Sequence, residues 1–159
     1  MEPVVVSKSE IKLIGLGTRT TNQAETGSNG EIPGLWGRFY EQAIADRIHN
    51  KINQNIIGLY TDYENGVSGT YTFVVGCEVS THNPVPEALL ATTIPSSKYA
   101  VFTTGRGAIN EIVPAAWQYI WEWFENSTYE RTFTGDFELY DERSLDPVNA
   151  VVDIFVAIK

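Results

Sequence analysis

Apolar positions along the chain fall into two periods. Leu35, Trp36, Phe39, Tyr40, Ala43, Ile44 and Ile48 recur at i, i+3, i+4 and i+7, which predicts a helix from about 35 to 50. A second, almost unbroken helical stripe runs through Ile109, Ile112, Val113, Ala116, Trp117, Ile120, Trp121 and Phe124. Asn110 is placed to cap it, which leaves Pro114 near the first turn, where a missing N–H costs least. Short runs rich in β-branched and aromatic residues predict strands at 11–17, 56–62, 70–77, 98–104, 137–140 and 151–158. Asn65-Gly66 is a turn signal. The polar, Gly-rich stretch Thr20 to Gly30 reads as a surface loop. His82 to Ser97, with Pro84, Pro86 and Pro95, reads as a connector.

The elements come in the same order twice: strand, helix, strand, strand, over about 1–80 and again over about 95–159. Leu59-Tyr60 against Leu139-Tyr140 is the best local match between the halves. Hairpins that follow a helix give an antiparallel sheet, so the fold class expected is α+β. It is a duplicated βαββ unit with helices on one face and a cleft between the halves. Each half is short for an independent domain, so residues 1–159 are expected to form one domain with the two sheets joined.

Composition narrows the function. Lys and Arg number 11 against 20 Asp and Glu, a formal charge of −9. That balance excludes the clustered cations by which proteins hold DNA, RNA or anionic membranes. No run of about 18 apolar residues is present, as a membrane-crossing helix would need. No signal sequence is visible, so cytoplasmic residence is the expectation. One cysteine, Cys77, permits no internal disulfide; with His49 and His82 it supplies too few ligands for a metal centre, and no cofactor is expected. Gly105-Arg106-Gly107-Ala108-Ile109-Asn110 resembles a dinucleotide loop, but its third glycine is Asn110 and no βαβ unit follows; it reads as a tight turn.

The chemistry concentrates in Asp136-Phe137-Glu138-Leu139-Tyr140. Strand alternation puts Phe137 and Leu139 on one face and Glu138 with Tyr140 on the other. If the first face meets the helices, and Ile154, Val156 and Ile158 do so on the last strand, Phe155 stands beside Glu138. Trp36 and Trp117, on the two helices, are placed to line a space between the halves. An unpaired carboxylate inside a protein costs several kcal/mol, so it takes up a proton or awaits a cation. Aromatic faces around it add roughly 0.5–2 kcal/mol each to a cation's binding.

On these residues the chain resembles the GyrI-like family, also described as the AraC-type effector-binding domain. The resemblance rests on Ile32-Pro33-Gly34-Leu35-Trp36, on Ile94 to Phe102, on Trp117 to Phe124 with Asn126 to Tyr129, and on Asp136 to Tyr140 with Val152-Asp153-Ile154. It spans nearly the whole chain. Ser97 stands where many members have glycine. The resemblance implies a duplicated βαββ fold with a central ligand cleft, and a ligand-contacting glutamate at Glu138. It implies aromatic walls at Trp36, Trp117, Tyr140 and Phe155. It points to a stand-alone effector-binding module for lipophilic cationic molecules, without the DNA-binding domain of the regulators. A partner protein would then transmit any signal. Two other members' roles remain open for this chain: hydrolysis of reactive small molecules with Glu138 as general base, and inhibition of a protein partner such as gyrase.

Overall fold

The computed structural model describes residues 1–159. Eight strands form one antiparallel sheet: β1 (Val4–Lys8), β2 (Ile11–Thr21), β3 (Ile56–Thr61), β4 (Thr70–Val79), β5 (Leu90–Ile94), β6 (Ser97–Thr103), β7 (Asp136–Tyr140) and β8 (Asp153–Ile158). The helices are α1 (Asn22–Glu25), α2 (Ile32–Glu41), α3 (Ile44–Arg47) and α4 (Ile109–Glu125). The fold class is α+β, and the strand order β1-β6-β8-β7-β3-β4-β2-β5 shows the duplication. The unit β2-α2-β3-β4 mirrors β6-α4-β7-β8 about the β3–β7 pair, in which Gly58 lies opposite Glu138.

The edge strands are exchanged between the halves. β1 precedes β2 but pairs with β6, and β5 precedes β6 but pairs with β2. Residues 95–96 join β5 to β6, which lie six places apart in the sheet. In a flat sheet that separation is about 29 Å, whereas such a link spans about 11 Å at most. The sheet therefore curls. Its inner face holds one continuous core built from Ile11, Leu13, Leu59, Ile94, Tyr99 and Phe137, which brings together strands from opposite ends of the sheet order.

The outer face carries two clusters, one under each principal helix. Leu35 and Phe39 of α2 pack on Ile14, Phe73 and Val75. Ala116 and Ile120 of α4 pack on Phe102, Ile154 and Val156. The central strands β3 and β7 run beneath the gap between them.

Several local expectations change. The first helix stops at Glu41 because Ala43 turns left-handed (φ 48°), and only the short α3 follows. The helix α4 starts at Ile109 with Ala108 as its cap residue and no side-chain capping bond, so Asn110 is inside it and Pro114 lies beyond the first turn. The polar loop after β2 contains the single turn α1, nucleated by Thr21, whose hydroxyl accepts from the Ala24 N–H. β1 and β5 were absent from the pattern reading: β1 is an exposed edge, and β5 is embedded in the Pro-rich connector.

Candidate functional site

Glu138 is the centre of the outer groove. It is 2% exposed, and three donors converge on its carboxylate. The Tyr60 hydroxyl donates to Oε2 at 2.6 Å, the Trp117 indole N–H to Oε2 at 2.7 Å, and the Tyr140 hydroxyl to Oε1 at 2.6 Å. Each donor reaches it for a reason of topology. Tyr140 is two residues on along β7, hence on the same face. Tyr60 comes from β3, where it occupies the place that Tyr140 has in β7 about the Gly58–Glu138 pair. Trp117 hangs from the middle of α4.

The aromatic shell repeats the pseudo-twofold. Trp36 of α2 meets Tyr140 edge-on at 4.9 Å between ring centres, and Trp117 of α4 meets Tyr60 edge-on at 5.1 Å. The symmetry breaks at the axis, and in the indoles, of which only Trp117 donates to Glu138. Opposite Glu138 stands Gly58, where a Cβ would come within 3.1 Å of Phe73 and 3.2 Å of Glu138 Oε1. One half supplies the carboxylate and the other supplies the room for it.

The electrostatics follow from neutral company. No Lys, Arg or His lies in salt-bridge contact with Glu138. Burial raises its pKa above the ordinary glutamate range, and the hydrogen bonds from Tyr140, Tyr60 and Trp117 pull it back in part. The Tyr60 and Tyr140 hydroxyls are pushed well above their usual value, first by burial and then by the neighbouring carboxylate. They remain donors throughout the physiological range.

The structure brings together four of the five residues expected from sequence: Glu138, Trp36, Trp117 and Tyr140. It separates the fifth. Glu138 pairs with Ile154 across the β7–β8 ladder, on the helix-covered face, so the face assignment made from alternation is reversed. Phe155 pairs with Phe137 instead, and their rings stack at 4.5 Å in the inner core. Isoleucine and valine on one stripe of β8 did point to the helices; the error lay in assuming that Phe137 and Leu139 did too. Tyr60 was missed, although its signal, Leu59-Tyr60 repeated as Leu139-Tyr140, was visible. Between the halves, the four aromatic rings cover Glu138. Neither the cavity of about 370 Å³ beside Tyr119 and Trp123 nor the one of about 770 Å³ beside Trp121 and Phe133 includes Glu138. Trp36, Tyr60 and Trp117 are each only half-buried.

Comparison with known proteins agrees with this architecture. Residues 5–158 match the model of the family described as integron-associated effector binding protein. YobU of Bacillus subtilis, named as a candidate transcriptional regulator, is 39% identical over 149 residues, 93% of this chain and 92% of its own length. The integron cassette protein VCH_CASS2, from the mobile metagenome of Vibrio cholerae, superposes with a TM-score of 0.81 at 26% identity, over 100% of this chain and 97% of that one. The protein SAV2435, whose structure was solved bound to tetraphenylphosphonium, superposes with a TM-score of 0.81 at 21% identity, over 100% of this chain and 94% of that one.

Proposed function

The chain belongs to the family of integron-associated effector binding proteins, and from that premise we propose that it binds lipophilic small-molecule cations at Glu138. The observation that carries this reading is a fully buried carboxylate whose three partners are all neutral. Such a group lacks a counter-charge, and the aromatic rings around it are the surface best suited to a delocalised cation. A protein of the same fold holds tetraphenylphosphonium, a ligand of this chemical class.

Ligand binding exchanges one set of interactions for another. The rings of Trp36, Tyr60, Trp117 and Tyr140 part, the cation comes up to the carboxylate, and the aromatic faces turn from packing on each other to packing on the ligand. Shape tolerance follows, because apolar walls and one charge impose few directional demands. Phe155, in the inner core, takes no part.

The test is a tryptophan-quenching titration with tetraphenylphosphonium beside neutral triphenylphosphine oxide, for the wild type and Glu138→Gln. The wild type is expected to saturate with the cation and to bind the neutral molecule at least tenfold more weakly. Glu138→Gln is expected to lose about 10- to 100-fold for the cation, about 1.5–3 kcal/mol, as for a hydrogen bond to a charged group. Equal cation affinity in the two proteins sinks the assignment.

A further inference from the structure

A second buried charge lies beside the Glu138 site. Arg131 has a side chain only 8% exposed, and its Nη2 donates to Asp136 Oδ2 at 2.7 Å. The Asp136 carboxylate is otherwise filled: the Tyr63 hydroxyl donates to Oδ2 and the Ala157 N–H to Oδ1. Arg131 is not. A guanidinium carries five N–H donors, and here one nitrogen of three is engaged, while Nε is buried with no partner at all. An orphaned buried donor is rare.

Arg131 is also one of the residues that line a cavity of about 770 Å³. It is set among rings, with its central carbon 4.4 Å from the Phe133 centroid and 6.0 Å from those of Phe124 and Trp117. Trp121 and Tyr129 extend the aromatic wall, and Asn22, Gln23 and Thr26 from the loop after β2 form an opposing polar rim. The cavity thus has aromatic sides and, at Arg131, a guanidinium of which only Nη2 is engaged; Nε is sealed from solvent, so the Nη groups are the donors within reach. The formal charges around it do not call for an anion. Arg131 is neutralised by Asp136, Lys159 is paired with Glu130 at 2.7 Å, and Glu125 adds an uncompensated negative charge.

We propose that this cavity is a second ligand site, adjoining that at Glu138, for planar aromatic molecules that bear an uncharged carbonyl or amide oxygen, which accepts from an Nη N–H of Arg131 that Asp136 leaves free. The ring of the ligand lies against Phe124, Phe133 and Trp121. The proposal does not depend on the Glu138 reading, since it uses a different charge, although Trp117 borders both sites.

Three probes of one shape separate the charge classes: benzamide (neutral acceptor), benzoate (anion) and benzamidinium (cation). Nitrogen-15 NMR of the full chain reads each at the Arg131 Nε–H and at the Trp121 indole N–H. Benzamide is expected to shift both signals in a saturable way, with benzoate weaker and benzamidinium leaving them in place. Arg131→Lys keeps a cation for Asp136 but removes the spare donors, and is expected to weaken benzamide at least fivefold. Trp121→Ala leaves the Arg131–Asp136 pair untouched and is expected to weaken benzamide too, read at Arg131, which keeps the test open should Arg131→Lys fail to fold. Glu138→Gln is expected to bind benzamide as the wild type does. No response to benzamide, equal affinity in both cavity variants, or tighter binding of benzoate or benzamidinium at these signals overturns the proposal.

Discussion

Glu138 is costly to the empty protein, and pH exposes that cost. Its folded pKa lies above the ordinary glutamate value of 4.5, chiefly because burial penalises the charged form. The folded chain therefore holds this proton to higher pH than the unfolded chain does. The contribution to stability is complete below about 4.5 and is lost as pH climbs through the raised folded value. Glu138→Gln has no such proton to lose. Thermal melts of the two ligand-free proteins are thus expected to move apart as pH rises above about 4.5, with the wild type losing stability relative to the variant. A constant difference in melting temperature would mean that the carboxylate is ionised at no net cost. Ligand binding has the opposite dependence. A protonated carboxyl attracts no cation, so cation affinity of the wild type is expected to rise with pH across the same window, while that of Glu138→Gln stays flat. The glutamate was legible in the sequence, as one carboxylate in an aromatic strand. Its partner Tyr60 is marked only by the repeated Leu-Tyr pair, and nothing in the sequence joins it to Glu138, because 78 residues separate the two and only the register of β3 against β7 brings them together.

At the level of elements, the sequence shows best what is periodic and long. The stripe on α4 and the strand runs of β3, β4, β6 and β8 were readable because each buries a face. β1 is exposed along most of its length, so no alternation marked it, and the proline-rich approach to β5 concealed a five-residue strand. The left-handed Ala43 that ends α2 has no sequence signal, since alanine carries no preference for that conformation. Pro114 gives an element-scale test. In α4 it stands at the sixth helical position, past the first turn, where it removes a hydrogen bond that a helix makes and crowds the carbonyl of Asn110. Pro114 is exposed, so no core contact depends on its ring. Replacing it with alanine is expected to stabilise the protein by about 1–2 kcal/mol. This is the roughly 3 kcal/mol helix-interior penalty less the freedom returned to the unfolded chain and the relaxation already present. Denaturant unfolding of Pro114→Ala with a lower midpoint than wild type would show that the proline sets a helix geometry the fold requires.

Over the whole molecule, the sheet has two faces with separate duties, and the duplication explains how. The inner face is one continuous core reached from both ends of the curled sheet; the outer face is divided between two helices, and the division leaves room over the pseudo-twofold axis for Glu138. Which face a strand residue belongs to thus decides between the inner core and the proposed ligand site, and a one-residue error in facing exchanges the two. Phe155 makes the distinction measurable. Its ring stacks on Phe137 at 4.5 Å and meets Tyr99 edge-on at 5.9 Å, all within the inner cluster. Truncation to alanine removes those contacts and leaves a void, at a cost of about 3–5 kcal/mol. The Glu138 donors, Tyr60, Tyr140 and Trp117, lie on the other side of the sheet and keep their positions in the molecules that remain folded. Phe155→Ala is therefore expected to lower the denaturation midpoint sharply while changing the tetraphenylphosphonium dissociation constant by less than about threefold, measured at a temperature where the variant is folded. Trp117→Phe is expected to do the reverse: it keeps an aromatic ring on α4 but removes the indole N–H from Glu138, and so alters cation binding with a smaller effect on the melt. A Phe155→Ala protein of near-normal stability and tenfold weaker cation binding would return Phe155 to the ligand site.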